Sequence, residues 1–133
     1  MRRTYVDAGV LIEAAIASGP KSEHAFSVLW DTGRVFLSCP FLDFELLPQA
    51  IRSKRTSQLN YLEEFLASTE RIEDLAAIFK VAFDEAIKSP ISGIDALHIA
   101  AAHLLNADEF ITTEKPGKPI YKNSLVQVLY LYD

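Results

Sequence analysis

Three acidic residues lie inside apolar segments of this sequence, and their side chains could carry out chemistry. Asp7 lies in the segment YVDAGVL, Glu45 in FELL and Asp95 in IDAL. A buried carboxylate is costly unless it is paired, hydrogen-bonded or bound to a cation, and converging carboxylates are the ligands that a hard cation such as Mg²⁺ prefers. We therefore expect a metal site if the fold brings these acids together.

The segments around the acids alternate between strand and helix patterns. Apolar spacing and β-branched content predict strands at residues 2–6, 34–38, 109–112 and 126–131, and helices at 10–17, 22–30, 40–53, 58–67, 74–87 and 94–105. Pro48 predicts a kink or break in the third of these helices. Strands separated by helices need crossover connections, so the pattern predicts an α/β fold, a three-layer α/β/α sandwich with a mostly parallel sheet, in a single domain over residues 1–133.

Such a sheet would bring the acids to one edge. The carboxyl ends of parallel strands and the amino ends of the following helices share that edge, and ligands bind along it. Asp7 ends the first predicted strand, Glu45 lies about one turn into a helix, Asp95 lies in a first helical turn, and Glu114 follows the strand at 109–112. Topology thus predicts one metal site with Asp7, Glu45, Asp95 and Glu114 as ligands.

Each acid also has a purely structural alternative. Asp95 follows Ser92 at the spacing of a capping box, and Asp7 could cap the helix that follows it. Glu45 could be a solvent-facing helix residue, and Glu114 could be an ordinary loop acid. The joint placement of the four acids, rather than any one of them, favours the metal site.

Other side chains fit structural roles better. His98 is one turn from Asp95 and could orient it, although a half-exposed helix histidine is commoner. The phenylalanine and tyrosine side chains are expected in the core. Cys39 is the single cysteine, so it excludes an internal disulfide and is expected to be buried. Gly9 and Gly117 stand alone, which leaves a glycine-rich phosphate loop unsupported.

The charge pattern limits the classes of partner. The net charge of −5 argues against coating nucleic acid by bulk electrostatics, yet the excess acids lie between Glu63 and Glu85. Basic residues cluster at 52–55 and 115–122, close in sequence to two of the candidate acids, although solvated surface residues are the simpler explanation. Apolar runs fall short of the roughly 18 residues of a membrane span and a signal-peptide core is missing, so we expect a cytoplasmic protein without a membrane partner.

The motifs together resemble the PIN domain family, particularly the small VapC-like toxins. They are YVDAGVLI at 5–12, Ser38 followed by Glu45 and Leu46, DALHIAAA at 95–102 and FITT at 110–113. The resemblance implies an endoribonuclease that hydrolyses RNA phosphodiester bonds, with acids that hold Mg²⁺ or Mn²⁺. It also implies a homodimer and a cognate antitoxin protein.

One departure from the family pattern leaves the activity open. Glu114 stands where the family typically has aspartate or asparagine, so a second metal would be held through water or not at all. The alternative is a PIN-fold module that binds RNA or a protein partner without turnover. A haloacid-dehalogenase phosphatase is disfavoured because Gly9 stands where its second aspartate is expected. Residues expected to contact RNA are Thr112, Lys115, Lys118, Arg52 and Arg55.

Overall fold

A parallel sheet organises the chain. Within residues 1–16 and 18–133, which the computed structural model describes, the sheet has five strands in the order β3-β2-β1-β4-β5, and every neighbouring pair is parallel. The central strand is therefore β1, which carries Asp7 at its carboxyl end. The strands are β1 (Arg2–Val6), β2 (Arg34–Ser38), β3 (Glu70–Arg71), β4 (Glu109–Thr112) and β5 (Val128–Tyr130).

Helices cover both faces of the sheet and complete a three-layer α/β/α sandwich, which confirms the predicted fold class. Six α-helices lie in the described residues, and none of them is long and apolar enough to cross a membrane. Close packing joins α1 to α2, α3 to α4, and α5 to α6. They are α1 (Ala8–Ile16), α2 (Pro20–Leu29), α3 (Pro40–Arg52), α4 (Thr56–Ala67), α5 (Leu75–Lys88) and α6 (Gly93–Leu104).

The structure corrects several predicted boundaries. Helix α1 begins at Ala8, two residues before the predicted start, and its predicted end at Ala17 lies outside the described residues. Helix α3 continues through Pro48 on its exposed side, where water can bond the carbonyl group that the missing N–H leaves free. The strand predicted at 126–131 is shorter, β3 was not predicted, and the predicted loop before β5 contains a 3₁₀ helix at Pro119–Lys122.

The core lies on both sides of β1. Tyr5 and Val6 of β1 are fully buried, and Phe110 of β4 stacks on Tyr5 with ring centroids 5.2 Å apart. Consecutive alanines at 100–102 in α6 are fully buried, which lets this helix approach its neighbours closely. The prediction that the phenylalanines are core residues is wrong for four of them, which are 41%, 79%, 53% and 71% exposed: Phe26, Phe44, Phe79 and Phe83.

Strand register determines where the candidate acids lie. Val6 pairs with Ile111, and the N–H group of Asp7 donates to the carbonyl oxygen of Ile111 at 3.1 Å. Asp7 and Thr112 therefore leave β1 and β4 side by side. This register is what places Asp7 and Glu114 at one edge of the sheet.

A buried ion-pair network stabilises the opposite edge. Glu109 is 1% exposed and accepts hydrogen bonds from Arg2 at 2.6 Å, Thr4 at 2.7 Å and Arg34 at 3.0 Å. Burial alone would raise the pKa of Glu109, but the bonds from Arg2 and Thr4 and the charge of Arg34 hold that pKa below its ordinary value. One carboxylate thus connects the amino ends of β1, β2 and β4.

We expect Glu109→Gln to lower the free energy of unfolding at pH 7 by about 2–4 kcal/mol, because it removes the buried carboxylate that pairs with both Arg2 and Arg34. Urea unfolding measures this, with Glu70→Gln, an exposed acid paired with Arg3, as a control that should lose at most about 1 kcal/mol. Because the pKa of Glu109 is lowered by folding, the difference should shrink as the pH falls below about 4.3. Equal losses in the two variants would contradict this role for Glu109.

Candidate active site

The four predicted acids line one pocket. The pocket has a volume of about 240 Å³, and Asp7, Glu45, Asp95 and Glu114 all contribute to its wall. It lies at the carboxyl edge of the sheet, between the ends of β1 and β4 and the amino ends of the neighbouring helices. The structure thus brings together side chains that are up to 107 positions apart in the sequence.

Asp7 is held in the pocket by bonds to both of its carboxylate oxygens. One oxygen accepts from the backbone N–H group of Val10 at 3.1 Å, which caps α1, and the other accepts from the hydroxyl group of Thr112. Burial raises the pKa of Asp7; the bonds from Thr112 and Val10 oppose this rise but do not cancel it. Capping and a place in the pocket are therefore compatible roles for Asp7.

Asp95 enters the pocket from the first turn of α6. The hydroxyl group of Ser92 accepts from the N–H group of Asp95 at 3.1 Å, so Ser92 caps the helix and the carboxylate of Asp95 is left to line the pocket. Burial raises the pKa of Asp95, and the negative charge of Glu45 raises it further. A carboxylate with a raised pKa beside other acids is one that a cation would stabilise.

His98 is buried and pairs with Glu45, which corrects the expectation of a half-exposed histidine near Asp95. The side chain of His98 is 5% exposed, and its Nε2 atom contacts Glu45 Oε1. Its Nδ1 atom lies 2.7 Å from the hydroxyl group of Tyr5, which in turn lies 3.2 Å from the Cys39 sulfur. A chain of polar contacts thus runs from the core to a pocket acid.

The charge of His98 follows from these contacts. Burial lowers the pKa of His98, but the nearby Cys39 sulfur, the hydrogen bond to Glu45 and the charge of Glu45 outweigh burial and raise the pKa to about 9. The hydrogen bond from His98 also lowers the pKa of Glu45. At neutral pH the pocket therefore contains one internal cation among its carboxylates.

Glycine and threonine residues shape the remaining wall. A Cβ atom at Gly9 would collide with the hydroxyl group of Thr113 and lie 3.3 Å from an Asp7 oxygen, so only glycine fits here without movement. Glu114 is exposed at the rim, and its N–H group donates to the Thr112 hydroxyl at 3.0 Å. Thr113 was not predicted as a site residue, although its position in the segment FITT at the strand end was the available signal.

The residues predicted to contact RNA differ in their surroundings. Thr112 is fully buried and bonds Asp7, so it orients an acid. Arg55 shares a small pocket with Glu45, beside Gln49 and Gln58 between α1, α3 and α4. The other predicted contacts, which are Arg52, Lys115 and Lys118, are exposed on the surface.

The donor set fits Mg²⁺ or Mn²⁺ by its chemistry. All four acids supply oxygen donors, and burial raises the pKa values of Asp7 and Asp95, so a cation in contact with these two carboxylates would stabilise their charged forms. No group of three or more Asp, Glu, His or Cys side chains in the described part of the chain is close enough to hold a cation jointly. Mg²⁺ does not require such a cage, because it keeps several waters and binds through one or two carboxylates.

Comparisons with known proteins agree with this fold. A family model described as PIN domain matches residues 4–115, whereas no curated protein sequence matches significantly. VapBC2 from Rickettsia felis, solved with a DNA fragment from its promoter, is similar at a TM-score of 0.73 and 14% identity, covering 96% of this chain and 98% of that one.

Two other solved structures have the same fold. A toxin-antitoxin complex from Klebsiella pneumoniae gives a TM-score of 0.69 at 18% identity and covers 98% of both chains. VapC20 from Mycobacterium tuberculosis, a sarcin-ricin loop cleaving toxin, gives 0.65 at 12% identity and covers 86% of this chain and 91% of that one. At such identities these likenesses show the fold.

We expect His98→Gln to destabilise the metal-free protein, because a neutral amide leaves the pocket acids without their internal cation. The loss should be about 1–3 kcal/mol at pH 6. Folding raises the pKa of His98 from 6.5 to about 9, so its contribution is complete below pH 6.5 and disappears as the pH rises through 9. Urea unfolding in chelator at pH 6, 8 and 10 measures this.

His103→Gln is the matched control, since His103 is exposed on the same helix. As an exposed substitution, it should stay within about 0.5 kcal/mol of the wild type. A deficit of His98→Gln that stays constant between pH 6 and 10 would contradict the ion pair and leave His98 as a packing residue.

Proposed function

Since the chain belongs to the PIN domain family, we propose that it is a metal-dependent endoribonuclease that hydrolyses RNA phosphodiester bonds. The observation that carries this proposal is the convergence of Asp7, Glu45, Asp95 and Glu114 on one pocket at the carboxyl edge of the sheet. Few structural roles require four acids in one place. Binding of a cation that also contacts a phosphate group would account for the common location of the four acids.

Each acid would have a distinct part in this site. Asp7 and Asp95 have the raised pKa values and are the proposed direct ligands of Mg²⁺ or Mn²⁺. Glu45, oriented by His98, would hold a coordinated water, and Glu114 at the rim would reach the site through water. When bound, the cation would activate a water and neutralise charge on the scissile phosphate.

Basic side chains near the pocket would bind the RNA backbone. Arg55 is the best placed, because it shares a pocket with Glu45. Arg52, Lys115 and Lys118 are exposed and would contact phosphates on either side of the cut. Thr112 would act through Asp7, since its hydroxyl group bonds that carboxylate. A few local contacts of this kind can overcome the unfavourable net charge of −5.

We propose further that the chain is the toxin of a toxin-antitoxin pair in the cytoplasm, with a cognate antitoxin protein as its partner. Support comes from the Rickettsia and Klebsiella structures, each of which contains a toxin with its antitoxin. Their full-length overlap with this chain makes the same arrangement a reasonable proposal here. A homodimer is the expected assembly.

A second candidate is a PIN-fold module that binds RNA or a protein without turnover. Two observations favour it: Glu45 is already paired with His98, and no three potential ligand side chains in the described residues lie close enough to bind one cation jointly. This candidate predicts binding without cleavage.

We expect the purified protein to cleave RNA in Mg²⁺ or Mn²⁺, and Asp95→Asn to lose more than about 100-fold in rate, since metal catalysis supplies several kcal/mol. A panel of structured and single-stranded RNAs, assayed with cation and with chelator, measures this. Asp84→Asn, which neutralises an exposed acid on α5, is the control and should keep the wild-type rate. Absence of both cleavage and calorimetric cation binding in the wild type would favour the non-catalytic module.

A further inference from the structure

One wall of the acidic pocket is formed by the long connection between β4 and β5, residues 113–127, which we call the β4–β5 loop. Thr113, Glu114 and Ile120 of this loop line the pocket, and Ile120 is 2% exposed. The loop also carries three exposed lysines, which are Lys115, Lys118 and Lys122. The conformation of the loop therefore determines where one pocket acid and three cations lie.

Side chains of the β4–β5 loop keep it compact. The hydroxyl group of Tyr121 donates to the carbonyl oxygen of Glu114 at 2.6 Å, which ties the 3₁₀ helix to the pocket end of the loop. The side-chain oxygen of Asn123 accepts from the N–H groups of Leu125 and Val126, both at 2.9 Å. These bonds lie within the loop, so they do not attach it to the rest of the protein.

Glu85 of α5 provides that attachment. Its side chain is 1% exposed and accepts two hydrogen bonds from Ser124, one from the N–H group and one from the hydroxyl group, each at 2.6 Å. The hydroxyl group of Ser89, one turn further along α5, donates to the same carboxylate at 2.8 Å. Within the described part of the chain, no other hydrogen bond joins residues 115–126 to an element outside the loop.

The charge of Glu85 strengthens this attachment. Burial would raise the pKa of Glu85, but the bonds from Ser124 and Ser89, together with the charge of Lys88, hold that pKa below its ordinary value. Glu85 is therefore ionised at neutral pH, and hydrogen bonds to a charged acceptor are about twice as strong as those between neutral groups. Unlike Glu109, it forms no salt bridge in the described residues, so hydrogen bonds compensate its burial.

We propose, with RNA cleavage at the acidic pocket as the underlying function, that Glu85 is a positioning residue. Through Ser124 it holds the β4–β5 loop in the orientation that presents the loop lysines to the RNA backbone. Glu85 does not line the acidic pocket, so it acts only through the loop. Functional loops are positioned by the rigid elements that carry them, and here α5 is that element. Loss of the attachment should weaken RNA binding and leave Asp7, Glu45 and Asp95 in place.

Tryptic digestion of the folded full chain tests the attachment without RNA. Lys115 and Lys118 each precede proline, which blocks trypsin, so the bond after Lys122 is the cleavable one in this loop. We expect Glu85→Ala to raise the rate of cleavage after Lys122 at least about 10-fold, because it removes bonds to a charged acceptor and cleavage follows the open fraction of the loop. Mass spectrometry distinguishes this from global unfolding, which exposes every site.

Three further variants sharpen the digestion. Asp84→Ala is the matched control, since Asp84 is an exposed acid next to Glu85 on α5, and it should digest like the wild type. Glu85→Gln keeps an acceptor for the Ser124 N–H group but loses the charge, so its rate should lie between those of the wild type and Glu85→Ala. Ser124→Ala removes only the hydroxyl bond and should speed cleavage about 3-fold. It decides the test if Glu85→Ala does not fold.

RNA kinetics separate positioning from a loss of stability. We expect Glu85→Ala to raise the KM for RNA about 5-fold or more with little change in kcat, because contacts made equally in the ground state and the transition state affect KM alone. A fraction of unfolded protein would instead lower the apparent kcat at an unchanged KM. The dissociation constant of a labelled single-stranded RNA, measured in chelator, reports the same loss of binding without turnover.

Each outcome decides the proposal. Faster cleavage after Lys122, together with a higher KM or RNA dissociation constant, supports it when Glu85→Ala shows both and Asp84→Ala shows neither. An unchanged rate after Lys122, or a lower kcat at an unchanged KM, overturns it while a wild type that cleaves RNA keeps the proposed function. A wild type that neither binds nor cleaves RNA overturns both, whatever the digestion shows.

Discussion

Burial of carboxylates at one edge of the sheet is the constraint on which this site depends. Asp7, Asp95, Glu45 and Glu114 line one pocket, and the pKa values of Asp7 and Asp95 are raised there. One internal cation, His98, offsets part of the charge through Glu45. The remaining negative charge is the reason to expect that a divalent cation binds.

Buried acids at the two edges of the sheet have pKa values that are shifted in opposite directions. At the amino edge, Glu109 is balanced by Arg2 and Arg34, and its pKa is lowered. At the carboxyl edge the charges are incompletely balanced, and the pKa values of Asp7 and Asp95 are raised. Glu109 has two arginine partners, whereas Asp7 is partly buried with hydrogen bonds but without an arginine or lysine, which is the pattern of a candidate functional site. This asymmetry, rather than the number of acids, distinguishes the candidate active site.

Much of the fold followed from local sequence patterns. The β-branched segments at 2–6, 34–38 and 109–112 form strands with the predicted bounds, and their parallel order placed the four acids on one edge. Strand β3 could not be predicted because two residues carry no periodicity; it exists through its pairing with Leu37 and Ser38. Pairing between distant segments therefore forms the strand that hydrophobic periodicity did not predict.

Side-chain surroundings were less predictable. The burial of His98 depends on Tyr5, which lies 93 positions away, so helix position alone suggested a half-exposed residue. On α5, apolar spacing identified an amphipathic helix, but it could not separate the core face at Ile78 and Ala82 from a second apolar face at Phe79 and Phe83. Both features arise from tertiary contacts.

The most direct test of a cation site in the acidic pocket is a comparison of melting temperatures. The wild type and Asp95→Asn are each measured in chelator and in Mg²⁺ at constant ionic strength. Replacing the partly buried carboxylate by a neutral amide should make Asp95→Asn more stable than the wild type in chelator, by up to about 1 kcal/mol, because burial disfavours the charged form of Asp95. Mg²⁺ should raise the melting temperature of the wild type and change that of Asp95→Asn much less. A wild type that gains no stability from Mg²⁺ or Mn²⁺, with Asp95→Asn no more stable than it in chelator, would contradict the claim that partly buried carboxylates prepare this pocket for a cation.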